Sequence, residues 1–201
     1  MILLFVATRN AHKTREIQQI LGSKFDVRDL SADSEVPETV ESGASFEENA
    51  VLKAVTASRH LPGFIIADDS GLEVDALGGA PGIHSARYAG HNATDKQNIE
   101  KLLGDLSRID PKDDECRARF RCVVALAHDG RILGTFEGNL EGKIIERPRG
   151  SHGFGYDPVF VPKEFGQTLG ELPAEVKNRI SHRAQAIRAL AHKLAAAKPS
   201  D

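Results

Sequence analysis

A continuous apolar run from Ile2 to Ala7 is the feature that most constrains how this chain can fold. A strand with one exposed face needs only every second residue to be apolar, so an unbroken apolar run is typical of a strand buried on both faces. A polar turn over 8–12 follows this run, and then a helical pattern begins whose apolar face carries Ile17, Ile20 and Leu21. A buried strand that leads through a polar turn into a helix predicts an α/β fold.

Helix-capping residues locate further helices along the chain. Ser45 stands three residues before Glu48, and Thr94 stands three residues before Gln97, which is the spacing of a capping box. Ser181 is placed to cap another helix after a short break in the helical pattern that begins at Ala174. These signals predict helices distributed over the whole sequence.

The second half of the chain is rich in strand and hairpin signals. From Cys116 onward, apolar residues alternate with arginines, a period of two that is typical of a strand. Asp129-Gly130 then predicts a hairpin turn. We expect a return strand through Ile132 and Phe136 and a separate strand over 142–146. The sum is a mixed sheet with helices on its faces.

Composition excludes several classes of protein. The chain has 201 residues, 40% of them hydrophobic, which suits one domain or two lobes that share a core. A net charge of −3 gives no overall basic field for a nucleic-acid backbone, and no apolar run reaches the roughly 18 residues of a membrane helix. Cys116 and Cys122 lie too far apart along one strand for a disulfide. We therefore expect a cytoplasmic protein with reduced thiols that binds neither nucleic acid nor membrane.

The polar turn from Thr8 to Lys13 is the first candidate binding site. A strand-to-helix turn directs backbone N–H groups and the positive end of the helix dipole at its surroundings, which favours an anion such as phosphate. Thr8, Asn10 and Lys13 can add hydrogen bonds and charge. The alternative is an N-capped helix with a solvated lysine, and this stretch alone leaves both interpretations open.

Acidic residues supply a candidate metal site. Asp68 and Asp69 directly follow the apolar run Phe64–Ala67, so we expect them at the carboxyl end of a buried strand, where open α/β sheets bind ligands. A carboxylate there can bind Mg²⁺ or deprotonate a water, and the alternatives are a turn and a helix cap. Glu48 is expected to serve as a cap partner, which leaves Glu41 available for another role.

A glycine-rich stretch, Gly153-Phe-Gly-Tyr-Asp157, is the third candidate. Its glycines are expected to leave Phe154 and Tyr156 exposed beside a carboxylate, an arrangement that suits a planar heterocycle. The alternative is a hairpin whose aromatic side chains fill the core. A cationic group of Lys177, His182 and Arg183 follows.

Taken together, these stretches resemble the inosine triphosphate pyrophosphatase family, which hydrolyses non-standard purine nucleoside triphosphates. The matching stretches span nearly the whole chain in family order and read TRNAHK at 8–13, SFEENAVLKA at 45–54, IADDSGLEVDALGGAPGIHSARYAG at 66–90, GFGYDPVF at 153–160 and SHR at 181–183.

The resemblance implies a fold and an activity. It implies that residues 1–201 form a single two-lobed domain, a mixed sheet with flanking helices, with the active site in the cleft between the lobes. It also implies a homodimer that uses Mg²⁺ to cleave ITP, dITP or XTP between the α- and β-phosphates. The products would be a nucleoside monophosphate and pyrophosphate, which clears such nucleotides from the pool.

The resemblance also implies roles for individual residues. Asp69 would be the proton acceptor and a metal ligand, and Glu41 would be the second metal ligand. His182 and Arg183 would help to hold the base, and their donor groups lead us to expect that they read the purine 6-oxygen, which an adenine base lacks. The full set of substrate contacts would be Thr8, Arg9, Asn10, Ala11, His12, Lys13, Lys53, Ser70, Phe154, Gly155, Tyr156, Asp157, Lys177, His182 and Arg183.

One departure from the family pattern leaves the second metal ligand open. Val40 stands where an acid is often found, so Glu38 and Glu48 remain alternatives to Glu41. Two rival functions also remain: a metal-dependent hydrolase of modified pyrimidine nucleotides, and a nucleotide sensor without catalysis. Asp69 together with Lys13 argues against a sensor, because sensing needs no group that activates water.

Overall fold

A computed structural model describes residues 2–32, 36–109 and 116–196. Six strands and five α-helices lie in these ranges. The strands are β1 Ile2–Val6, β2 Phe25–Asp29, β3 Phe64–Val74, β4 Arg117–His128, β5 Arg131–Ile144 and β6 Phe160–Pro162. The helices are α1 Ala11–Leu21, α2 Phe46–Ser58, α3 Asp95–Ile109, α4 Ala174–Ile180 and α5 His182–Ala196.

The strands form one mixed sheet in the order β2-β1-β3-β4-β5-β6. β1 pairs in parallel with β2 and with β3, where Leu4 lies opposite Phe64 and Val6 opposite Ile66. β5 and β6 pair antiparallel. The predicted class, a mixed sheet with flanking helices, is confirmed.

The chain divides into two compact units, each with its own core. Unit 1 comprises residues 1–69, 122–138 and 181–201, and unit 2 comprises residues 70–121 and 139–180. In unit 1, α1 lies against α5, and its core includes Leu4, Ile17, Ile66, Val124, Ile187 and Leu190. The core of unit 2 includes Leu72, Val74, Leu102, Phe120, Tyr156 and Phe160.

The helix caps predicted from the sequence are confirmed. The Ser45 side chain accepts from the Glu48 N–H, and Thr94 and Gln97 cap each other reciprocally. Ser181 accepts from the N–H of Ala184 at the start of α5. Among the described residues, no helix combines the length and apolarity needed to cross a membrane.

Two strand predictions are wrong. β3 does not end at Ala67 but continues to Val74, so Asp68 and Asp69 lie inside a strand. The strand continues because Leu72 and Val74, beyond the acidic pair, are buried in the core of unit 2. The two strands expected after the Asp129-Gly130 turn are one, β5, which runs unbroken to Ile144.

Candidate functional site

The turn from Thr8 to Lys13 is built as a helix cap. The Asn10 side-chain oxygen accepts from the backbone N–H groups of His12 and Lys13 at 2.9 and 3.4 Å, and the Thr8 hydroxyl accepts from the Asn10 N–H at 3.1 Å. Ala11 is the first residue of α1, and the Arg9 guanidinium donates to the carbonyl of Val36 at 2.9 Å. The helix cap is therefore present, but the expectation of a solvated lysine is wrong, because Lys13 is paired with Asp68. Phosphate binding at this turn stays a prediction.

Lys13 belongs to a buried charge group that we call the Asp68 cluster, formed by Lys13, Glu16, Asp68 and Arg183. Lys13 Nζ lies 3.0 Å from Asp68 Oδ2, and Arg183 Nη2 lies 3.1 Å from the same oxygen. Arg183 Nη1 also donates to Glu16 Oε2 at 2.5 Å. One carboxylate of β3 thereby binds cations from both α1 and α5.

The charges of this cluster decide the ionisation of Asp68. Burial alone would raise the pKa of its carboxyl, but the positive charges of Lys13, Arg183 and Lys53 outweigh burial and hold the pKa well below the ordinary value. Burial alone would lower the pKa of Arg183, but the negative charges of Asp68 and Glu16 more than compensate, so this pKa is raised. Asp68 is thus a permanent anion near neutral pH.

Asp69, the next residue of β3, contacts a different set of partners. We call Glu41, Asn49, Lys53 and Asp69 the Asp69 cluster. Lys53 Nζ lies 2.7 Å from Asp69 Oδ1 and 3.1 Å from Glu41 Oε1, and the Asn49 amide donates to Asp69 Oδ2 at 3.4 Å. Adjacent side chains of a strand point to opposite sides, which explains the separate partner sets of Asp68 and Asp69.

Burial dominates the pKa of Asp69. It raises the pKa of the carboxyl above its ordinary value, and the charge of Lys53 offsets only part of this effect. For Lys53, burial would lower the pKa, but Asp69, Asp68 and Glu41 raise it. Asp69 therefore resembles a general base, whose pKa is moved towards the working pH.

Helix α2 also fixes the loop that carries Glu41. The Asn49 side-chain oxygen accepts from the Gly43 N–H at 2.9 Å, and the Glu48 carboxylate accepts from the Ala44 N–H at 2.8 Å. Glu48 is thus engaged as a cap partner, as expected, although it binds the N–H of Ala44 and not that of Ser45. Of the three acids considered for a second metal ligand, Glu41 is the one that shares a cation with Asp69.

The Asp69 cluster has the donors that Mg²⁺ requires. No group of three or more His, Cys, Asp or Glu side chains suited to a metal occurs within residues 2–32, 36–109 and 116–196. Mg²⁺ in nucleotide sites, however, is commonly held by one or two carboxylates, waters and substrate phosphates. Glu41 and Asp69 already bind one positive charge together, that of the Lys53 ammonium.

A second group of predicted residues lies together in unit 2. Within residues 153–157, which we call the Phe154 turn, the Phe154 N–H donates to Asp157 Oδ2 at 2.9 Å. Lys177 Nζ donates to the same oxygen at 2.5 Å and lies 4.7 Å from the centroid of the Phe154 ring. The turn therefore presents a half-buried aromatic ring beside a buried carboxylate and ammonium.

The expectation that Tyr156 is exposed is wrong. Its side chain is buried in the core of unit 2, where its hydroxyl donates to the carbonyl of Ser85 at 2.9 Å. Burial also raises the pKa of this phenol. Only Phe154 of the two aromatic residues is partly open, so Tyr156 anchors the turn from within. Gly155, between them, donates its N–H to the Asp95 carboxylate at 2.6 Å.

The remaining predicted residues lie in β3 and α5. Ser70 follows Asp69 in β3 and is half-buried. His182 is the buried first residue of α5, and Arg183 follows it. The Arg183 side chain is 2% exposed and paired with two carboxylates, an internal role that the sequence did not reveal. Its contact with a purine base stays a prediction.

Four residues that the sequence prediction did not assign to the site contribute to these clusters. They are Glu16, Asp68, Asn49 and Asp95. The spacing of Asn49 four residues before Lys53 did indicate a shared helix face, and Asp68 stood beside a predicted ligand. Glu16 and Asp95 gave no local signal, since their partners are 167 and 60 residues away in the sequence.

Comparison with known proteins supports the resemblance found in the sequence. The model of the Ham1 family matches residues 4–193. A Bacillus licheniformis protein named dITP/XTP pyrophosphatase is 48% identical over 188 residues, covering 93% of this chain and 95% of that protein. A Methylococcus capsulatus protein of the same name is 50% identical over 196 residues, 96% of each chain.

A solved structure agrees with the match. The HAM1 protein from Coxiella burnetii has a TM-score of 0.86 and 40% sequence identity, with 98% of this chain and all of that chain covered. The resemblance is confirmed by sequence and by fold, and this chain belongs to the Ham1 family.

Proposed function

We propose that this protein is a Mg²⁺-dependent nucleoside triphosphate pyrophosphohydrolase. Its substrates would be the non-standard purine nucleotides ITP, dITP and XTP, and its products a nucleoside monophosphate and pyrophosphate. The observation that carries the proposal is the Asp69 cluster, in which two carboxylates share one ammonium, in a chain whose close relatives are named dITP/XTP pyrophosphatase.

Asp69 is the proton acceptor in this proposal. Hydrolysis between the α- and β-phosphates adds one water: its hydroxide joins one phosphorus, the bridging oxygen leaves with the other, and the proton passes to Asp69. Burial supports this role because it raises the pKa of the carboxyl and so strengthens it as a base. Lys53, 2.7 Å away, holds the carboxylate in place and adds positive charge for the phosphates.

Glu41 and Asp69 would hold the metal. Mg²⁺, when bound, supplies a hard positive charge that neutralises the phosphate oxygens and the leaving pyrophosphate. Lys13 and the backbone of residues 8–13 would contact the triphosphate, with Ser70 as a further contact. Because Lys13 is shared with Asp68, its ammonium is oriented before substrate arrives.

The Phe154 turn would hold the base. A half-buried aromatic ring offers a stacking surface, the Asp157 carboxylate offers an acceptor, and the Lys177 ammonium, which lies over the ring, offers a donor. His182 and Arg183 are proposed as donors to the purine 6-oxygen. For Arg183 this role has to coexist with its two internal carboxylate partners.

We further propose that the chain acts as a single two-lobed domain, as a homodimer and in the cytoplasm. The family resemblance supports the homodimer. Both cysteines are present as thiols, which fits a reducing compartment. Sedimentation of the purified protein tests the dimer directly.

Pyrophosphate release from a panel of nucleotides tests the activity. We expect dITP, ITP and XTP to be cleaved with Mg²⁺ present, ATP and GTP to be poor substrates, and EDTA to abolish cleavage. The Asp69→Asn variant keeps the shape of the side chain but should lose turnover at least about 100-fold, the low end for loss of a general base. Circular dichroism would establish that the variant is folded.

The same panel separates the rival functions. Preferential cleavage of modified pyrimidine nucleotides would favour the pyrimidine hydrolase. Binding without any pyrophosphate release would favour a sensor. Near-normal turnover by Asp69→Asn would show that another group accepts the proton.

A further inference from the structure

The backbone on both sides of Phe154 is held by carboxylates. On the N-terminal side, the Phe154 N–H donates to Asp157 Oδ2 at 2.9 Å. On the C-terminal side, the next N–H along the chain, that of Gly155, donates to Asp95 Oδ2 at 2.6 Å. The two peptide groups that flank the Phe154 Cα therefore each have a fixed direction, and the ring direction depends on both.

Asp95 holds the exposed part of this turn through its hydrogen bond with the Gly155 N–H. Tyr156 is anchored by its hydroxyl on the carbonyl of Ser85, and the Asp157 carbonyl accepts from the Gly170 N–H at 2.9 Å. Gly155 has a positive φ of 61°, which glycine adopts without steric cost, but glycine also has more backbone freedom than any other residue. Its N–H is supported by Asp95, which comes from another element, the first turn of α3.

An acidic residue at the start of a helix ordinarily needs no special explanation, because it interacts favourably with the helix dipole. Asp95 does more than this. Its carboxylate lies 2.6 Å from an N–H that is 60 residues away in the sequence, which is the short distance of a charge-assisted hydrogen bond.

We propose that Asp95 is a positioning residue for base binding, which acts by fixing the peptide group after Phe154. This inference rests on the proposed function, in which the base contacts the Phe154 ring. A ring that is fixed in advance loses less conformational freedom when it binds a base, and affinity rises accordingly. Asp95 itself is not expected to touch the substrate.

The effect expected on kinetics follows from this mechanism. Releasing the backbone of one residue weakens binding by about 5- to 30-fold. A base contact far from the reacting phosphorus is equally strong in the ground and transition states, so its loss raises KM and leaves kcat unchanged. Asp95→Ala should therefore raise KM for dITP about 5- to 30-fold. Asp95→Asn keeps an acceptor without its charge and should raise KM about threefold.

Glu100→Gln is the matched control for charge and helix. Glu100 lies on α3, is exposed, and pairs only loosely with Lys96, at 3.8 Å. This variant removes one negative charge from the same helix without touching the Phe154 turn, and its KM should equal that of wild type. Phe154→Ala serves as the reference for loss of the base contact.

Steady-state kinetics with dITP on these four variants tests the positioning role of Asp95, and melting temperatures are recorded in parallel. A graded KM, with wild type lowest, Asp95→Asn intermediate and Asp95→Ala highest at constant kcat, supports the positioning role. If Phe154→Ala raises KM and neither Asp95 variant does, the role of Asp95 is refuted while the base site stands. If Phe154→Ala leaves KM unchanged, the base site itself is wrong, and this inference fails with it. A lower melting temperature with unchanged KM would show that Asp95 only stabilises the start of α3, through the helix dipole.

Discussion

Replacing Asp68 by asparagine should destabilise the folded protein far more than a typical charge change. The side chain of Asp68 is 1% exposed, and that of Arg183 is 2% exposed. Asp68→Asn keeps the volume but removes the negative charge that Arg183 and Lys13 share. Removing one partner of a buried ion pair costs about 3–5 kcal/mol, because the remaining charge stays desolvated.

The size of the change can be read in the melting temperature. For a chain of this length, 1 kcal/mol corresponds to about 2–4 °C, so Asp68→Asn should melt about 6–20 °C below wild type. Asp26→Asn is the matched control, since its pair with Arg28 is much more exposed, with side chains 34% and 59% accessible. An exposed pair contributes at most about 1 kcal/mol.

The Asp68 carboxylate also makes the difference in unfolding free energy between wild type and Asp68→Asn depend on pH. Its pKa is lowered in the folded state, so the unfolded chain takes up the proton more readily. The stabilisation is therefore fully present above the ordinary pKa of 3.8 and is lost as pH falls below it towards the folded-state value. The gap in unfolding free energy between wild type and Asp68→Asn should be constant from about pH 5 upward and should shrink below about pH 4.

Urea unfolding followed by circular dichroism, repeated across this pH range, measures both effects. A loss within about 1 kcal/mol of the Asp26→Asn control would show that Arg183 is satisfied by Glu16 alone, and the account of the Asp68 cluster would be wrong. A large gap that persists unchanged below pH 4 would show that the lost stability does not come from the charge.

Three further predictions concern the proposed site. Glu41→Gln should raise the Mg²⁺ concentration needed for half activity and weaken Mn²⁺ binding measured by electron paramagnetic resonance without substrate; if neither changes, Glu41 is not a ligand. Gly153→Ala should raise KM for dITP, because Gly153 has a φ of 75° and a Cβ there would collide with the Asp157 carboxylate, whereas Gly166→Ala, with open space around it, should behave like wild type. Arg183→Ala should lower the ratio of kcat/KM for ITP over ATP; a proportional fall for both substrates would leave Arg183 with its internal role alone.

The sequence predicted those parts of the fold whose partners are close in the chain. Ser45 and Glu48, or Asp129 and Gly130, are a few residues apart, so their chemistry is complete within a short stretch. The Asp129-Gly130 turn indeed has positive φ at both residues, 48° and 75°. β2 was not predicted, although Phe25 and Val27 alternate with charged residues, because a five-residue strand carries little pattern.

The parts that could not be predicted depend on distant partners. Two successive aspartates looked like the end of a strand because nothing nearby could balance their charge. Asp68 is balanced by Arg183, which lies 115 residues away, and Asp69 by Lys53. Tyr156 was expected to be exposed for the same reason, since its acceptor, the carbonyl of Ser85, is 71 residues distant. The family resemblance supplied the list of site residues, but not the contacts that orient them.

The interleaved make-up of the two units has a consequence for synthesis on the ribosome. The chain passes from one unit to the other four times, after residues 69, 121, 138 and 180. Asp68 therefore emerges 115 residues before Arg183, a delay of roughly 6–23 s at usual rates of translation. Throughout that interval the nascent chain lacks Ile187 and Leu190, which α5 contributes to the core of unit 1. We therefore expect a half-made chain to expose the apolar surface that α5 later covers, and to be bound by ribosome-associated chaperones.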